Sequence, residues 1–196
     1  SSLLMLEEDF MYTTTYTTSQ GQTRSTNHYI SKAIMIANIT SDGEINWINH
    51  IPKHQHSIND GGMLNSFSYF IDKDRIKFLF SDNENNYDTQ TLNLKVQNAK
   101  SINSMIVSTN GSAIALAELE FNGKINQKLV LRSSKNILIA RNAAWTSSGK
   151  EVYLEASKRL PTGKVLLGCL FPPYGCYLYF KYKSWGFSIG RIEFAE

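Results

Sequence analysis

The chain has 196 residues, of which 42% are hydrophobic, 12% aromatic and 19% charged, with a formal net charge of +3. That composition excludes a disordered chain and suffices to bury a sizeable core. The mild positive balance falls short of the clustered field that a nucleic-acid backbone requires, and no apolar run approaches the roughly 20 residues of a membrane-spanning helix.

In chain order, the Thr/Tyr-rich stretch 9–18 has high β-propensity and predicts a strand, followed by a polar loop over 19–27. Residues 28–40 predict a long strand, and Ser41-Asp42-Gly43-Glu44 a tight turn, because Asp-Gly supplies the positive φ a hairpin needs. The return strand 45–51 places Ile45, Trp47 and Asn49 on one face and Asn46, Ile48 and His50 on the other. A loop is expected from Pro52 to Gly62, then a second hairpin, 63–71 and 75–80, turning at Asp72-Lys73-Asp74. Its second strand puts Ile76, Phe78 and Phe80 on one face and Arg75, Lys77 and Leu79 on the other. Residues 81–89 read as an acidic, Asn-rich surface loop and 92–96 as a strand. A third hairpin is expected between 104–108 and 112–121, and a fourth turn at Asn122-Gly123-Lys124. After residue 132 come five short apolar segments, KNILIA, EVYLEA, KVLLGCLF, CYLYFKY and GFSIGRIEF.

Residues 33–46 (AIMIANITSDGEIN) and 113–126 (AIALAELEFNGKIN) agree at six of fourteen positions: Ala33/Ala113, Ile34/Ile114, Ala37/Ala117, Gly43/Gly123, Ile45/Ile125 and Asn46/Asn126. One hairpin is thus written twice. Twelve or thirteen short strands joined mostly as hairpins predict an all-β, repeated antiparallel meander over 1–196, read as three to four β-propeller blades; a sandwich or a barrel is the alternative. The 80-residue offset of the repeat spans about six predicted strands, which does not fit a four-stranded blade.

The stretch from Asp42-Gly43 through Ile45-Asn46-Trp47, Ile51-Pro52-Lys53 and Asn59-Asp60-Gly61-Gly62 to Phe78-Leu79-Phe80-Ser81-Asp82-Asn83, with the closing FSIGRIEF, resembles uncharacterised bacterial β-propeller-like proteins of secreted or envelope type. The resemblance covers about half the chain. It implies a propeller and a secreted or envelope location, and carries no activity. Such proteins are longer than this chain, so the resemblance also implies the C-terminal part of a larger ring.

Four groups of residues are candidates for chemistry. His50, His54 and His56 are raw material for a zinc or copper site, though no Cys or Glu completes a known spacing and a solvated loop is the plainer reading. Cys169 and Cys176 flank a Pro-Pro-Tyr-Gly turn and are either a short-loop disulfide or two small buried thiols. The carboxylates and amides from Asp72 to Asp88 lack the glycine and the final Glu of a calcium loop. Tyr179, Lys181 and Trp185 share a strand face that can stack on a sugar or a base. No phosphate loop, nucleophile elbow or C-x-x-C occurs, so the sequence predicts no cofactor. It points to a non-enzymatic binding or scaffold module with a protein or glycan partner. The competing readings are a propeller-based enzyme with a His-containing metal site and a carbohydrate-binding β domain.

Overall fold

The computed structural model describes residues 2–95, 101–106, 112–133, 136–158 and 187–194. These form twelve strands with no α-helix among them: β1 Ser2–Thr17, β2 Thr23–Ile39, β3 Ile45–Ile51, β4 Gln55–Ile58, β5 Phe67–Ile71, β6 Arg75–Asp82, β7 Met105–Ile106, β8 Ser112–Glu120, β9 Ile125–Ser133, β10 Asn136–Trp145, β11 Glu151–Lys158 and β12 Phe187–Glu193. Three sheets result. The first has the order β1-β2-β4-β7 with β3 also on β2, the second β5-β6-β8-β9, and the third β10-β11-β12. No barrel closes among the described residues.

The sheets stack in three layers, and the alternation of β6 and β8 explains why. Ile76, Phe78 and Phe80 of β6, with Ala113, Ala115, Ala117 and Leu119 of β8, meet Ile34, Ile36 and Ile51 of the first sheet. The intervening Leu79, Ile114 and Leu116 point the other way, onto Val152 and Leu154 of β11 and Ala140 of β10. Phe78, Phe80, Leu79 and Ile114 are all fully buried, so the second sheet is covered on both faces. Such strands read as near-continuous apolar runs, which is how SAIALAEL reads despite its helix-forming alanines. Each buried large side chain contributes about 1.5–3 kcal/mol relative to exposure.

The repeat is structural. Its copies are the β2–β3 and β8–β9 hairpins, and both turns have one geometry. Gly43 N–H donates to Thr40 O and Thr40 N–H to Glu44 O, while Gly123 N–H donates to Glu120 O and Glu120 N–H to Lys124 O. Gly43 and Gly123 sit at φ 87° and 93°, where a side chain is strained. A tetrapeptide Thr-Ser-x-Gly recurs at 18–21, 40–43 and 146–149, closing three hairpins. In each the Thr hydroxyl accepts a main-chain N–H from beyond the glycine, at 3.1–3.2 Å.

Several expectations are corrected. The region 52–62 is not all loop, since β4 pairs with β2 and directs Gln55 and Ser57 inward. Both are polar, so no hydrophobic alternation announced the strand. β3 and β4 lie along the same β2, interrupted at Pro52–His54. β7 joins β4 in parallel instead of forming a hairpin with β8. With β3 and β4 as one interrupted strand and β7 as an excursion, the repeat offset from β2 to β8 is four strands. Residues 92–95 make isolated bridges, Tyr87 to Leu94 and Asn93 to Lys128, and no strand. The "surface loop" 81–89 holds a one-turn 3-10 helix, Glu84–Asn86, and buries Asp82, Asn86 and Tyr87.

Candidate functional site

Three polar assemblies stand out. The first is buried. Asp82, at the end of β6, is 2% exposed. Its carboxylate accepts from Tyr87 OH at 2.5 Å, Asn86 Nδ2 at 2.9 Å and Asn83 N–H at 2.7 Å. Burial pushes its pKa up to about 6 against these donors and the nearby Lys53. Tyr87 is pushed up too, by burial and then by the Asp82 charge. Asn86 Oδ1 binds the N–H and the amide of Asn103, which ties in the 101–104 segment. Close by, Lys53, also 2% exposed, pairs with Glu7 and donates to Gln55 Oε1 at 3.0 Å. Burial lowers the Lys53 pKa, and Glu7 opposes that. Gln55 in turn holds Ser66 N–H at 2.6 Å and donates to Ser81 O at 2.8 Å. Hydrogen bonds or ion pairs hold Asp82, Asn86, Tyr87, Lys53, Gln55 and Ser66, so this assembly fixes the packing of the first sheet on the second.

The second assembly involves the histidines. The structure brings His56 to His28, 28 residues upstream, with Nδ1 of His28 2.9 Å from Nε2 of His56. Tyr12 stacks on His28 at 4.5 Å, and Thr14 Oγ1 lies 3.1 Å from His28 Nε2. Burial lowers the pKa of His56, with the His28 charge second; burial likewise lowers that of His54, followed by Lys32. His50 stands apart on β3. Among the described residues no group of three or more His, Cys, Asp or Glu is placed to hold a metal ion, so the His50/His54/His56 trio does not assemble as one site.

The third assembly is a cleft of about 560 Å³ between β3 and β9, the facing return strands of the two hairpin copies, with the 88–94 loop along one side. Asn49, His50, Asn93, Asn126 and Gln127 supply its polar lining and Pro52, Leu94 and Ile125 its apolar part. It contains no charged side chain. Asn49 Nδ2 is held by Gly123 O. Gln127 is 5% exposed. Its Nε2 donates to Tyr87 OH at 2.8 Å and Pro52 O at 3.2 Å, while its Oε1 has no partner among the described residues. A buried amide oxygen left without a donor costs about 1–3 kcal/mol, unless something else fills the role.

Of the sequence candidates, His50 lies in this cleft. Cys169, Cys176, Tyr179, Lys181 and Trp185 lie outside the described residues. Asn49, Asn93, Asn126 and Gln127 were not anticipated. One signal was available: where the hairpin copies are aligned, Gln127 replaces Trp47, a polar side chain in an aromatic's place.

Comparison with protein-family models, with curated proteins and with solved structures gives no match to the chain.

Proposed function

We propose that the chain is a non-enzymatic binding module of propeller type, and that the cleft between β3 and β9 takes a neutral, polyhydroxylated ligand of carbohydrate class. The stacked sheets, the four-strand repeat and the identical hairpin turns support the blade reading. The observation that carries the ligand reading is the cleft's lining, four carboxamides and an imidazole with no charge, around the unpartnered buried Oε1 of Gln127. Carboxamides both donate and accept, which matches hydroxyl groups, and a neutral lining selects against ions. A sugar hydroxyl donating to Gln127 Oε1 would supply the missing hydrogen bond.

The test is a neutral glycan array followed by titration calorimetry. Binding is expected, and Asn126→Ala and His50→Ala each weaken it about tenfold, the worth of one hydrogen bond. Both side chains are exposed and make no hydrogen bond to other described residues, so folding is unaffected. A silent array with folded protein rules the reading out, as does binding indifferent to both substitutions.

A further inference from the structure

A second cleft, of about 350 Å³, opens where β1 and β2 meet the 61–66 loop and β10. It is lined by Asp9, Phe10 and Met11 of β1, Tyr29, Ile30 and Ser31 of β2, Gly61, Gly62, Asn65 and Ser66, and Arg141 of β10. Backbone irregularity converges here. The β1–β2 register shifts between Glu7 and Asp9, and the β10–β11 register between Ile139 and Ala144, the interval that contains Arg141. Gly61, Gly62 and Ser66 all have positive φ, at 69°, 75° and 80°. Bulges and left-handed residues gather where side chains are re-aimed, and a non-glycine residue there is strained unless its surroundings hold it. Ser66 is so held: its N–H by Gln55 and its hydroxyl by Glu7 at 3.0 Å, both members of the buried Lys53 network. The network therefore forms the rigid backing of this cleft.

The polar groups are of two kinds, on different elements. Asn65 is 3% exposed; its Nδ2 donates to Tyr29 O at 2.9 Å and its Oδ1 is unpartnered among the described residues. Asp9 accepts from the Ser31 hydroxyl through one oxygen and leaves the other unengaged by the described residues. These are two acceptors, one charged, calling for N–H donors. Arg141 is exposed on the third sheet and makes no ion pair with the described residues, so its guanidinium offers a fork of donors suited to a carboxylate. Tyr29 and Phe10 give apolar walls.

We propose that this cleft is a binding site for a free α-amino acid, whose ammonium meets Asp9 and Asn65 Oδ1 and whose carboxylate meets Arg141. The site is separate from the uncharged cleft and independent of the carbohydrate reading. Because recognition uses both charges, each modified ligand loses one anchor.

The experiment is calorimetric titration of the intact chain with the twenty amino acids, then with the N-acetyl and carboxamide derivatives of the best binder. Saturable binding of at least one amino acid is expected, weakened at least tenfold by either derivative and by Arg141→Gln, a change at an exposed residue that leaves folding intact. Asn65→Ser, which shortens the side chain and withdraws Oδ1, is expected to weaken binding while circular dichroism stays unchanged. Absence of binding at 10 mM ligand by folded protein overturns the proposal. So does binding that tolerates both derivatives or is untouched by Arg141→Gln.

Discussion

The two copies of the repeated hairpin have nearly the same apolar pattern and opposite surroundings. In the first, Ile34 and Ile36 face the second sheet, as do Ile114 and Leu116 of the second copy toward the third sheet. The sheets are therefore stacked with one polarity. The other face differs. Ala113, Ala115, Ala117 and Leu119 are buried against the first sheet, whereas their equivalents share a face with Leu4, Leu6 and Ile48, which are 45%, 48% and 46% exposed. The turns repeat the contrast. A Cβ on Gly123 would lie 2.9 Å from Asn49 Nδ2 and 3.2 Å from Trp47, and one on Gly149 would lie 2.2 Å from Phe70, while one on Gly43 meets nothing within 4 Å among the described residues. Each covered turn is capped by a side chain of the preceding sheet. Position in the stack, rather than the hairpin's own sequence, decides what a residue is worth.

Three measurements would break or sharpen that contrast. The largest effect belongs to the doubly covered sheet. Phe78→Ala is expected to lower unfolding free energy by about 3–5 kcal/mol, and Leu4→Ala, on the bare face, by under about 1 kcal/mol, both read from urea denaturation. Similar losses at the two positions would break the comparison. The next effect depends on pH. The folded pKa of Asp82, about 6, lies above its ordinary 3.8, so the folded state binds this proton more tightly than the unfolded chain does. Its contribution grows as pH falls from 6 to 4 and is lost as pH rises through 6, a swing of about 2–3 kcal/mol. His54 and His56, with lowered values, act in the opposite sense below 6.5. Stability of the native chain minus that of Asp82→Asn, measured at each pH, isolates the Asp82 share, and a flat difference between pH 4 and 7 would sink the assignment. The smallest effect is at the turns. Gly43→Ala costs about 1–2 kcal/mol for its left-handed backbone, and Gly123→Ala that amount plus about 1 kcal/mol for displacing Asn49 and Trp47. Equal thermal shifts for the two would show that the cap over Gly123 yields freely.

What was legible in the sequence follows from this physics. Period-two alternation located β2, β3, β5, β6, β8 and β9, because those strands bury aliphatic or aromatic side chains, and Asp-Gly and Asn-Gly marked the β2–β3 and β8–β9 turns, whose glycines have positive φ. β4 was missed since its inward residues, Gln55 and Ser57, are satisfied by hydrogen bonds, Gln55 with Ser66 and Ser81 and Ser57 with Asp60, rather than by apolarity. For the same reason Asp82, Asn86 and Tyr87 looked like surface: Asp82 is satisfied by Asn83, Asn86 and Tyr87, and the further partners of Asn86 and Tyr87, Asn103 and Gln127, come from far along the chain. Histidine spacing misled in a similar way. His54 lies in the interruption before β4, whereas His56 lies within the strand and meets His28 diagonally across the β2–β4 ladder. Of the uncharged cleft only His50 was foreseen, because a site formed between two edge strands has no local motif.

β1 and β2 run well past the layered body. From Thr14 to Thr17 and from Thr23 to Thr26 they form a ribbon whose β1 residues are exposed throughout and whose cross-strand side-chain contacts are hydroxyl pairs, such as Thr15 with Ser25 and Thr17 with Thr23. Such a ribbon rests on its ladder alone, and local opening there takes far less free energy than unfolding of the sandwiched sheet. Its amides exchange with solvent first, and its tip at Gln20–Gly21 is where a protease would enter, leaving the stacked layers intact.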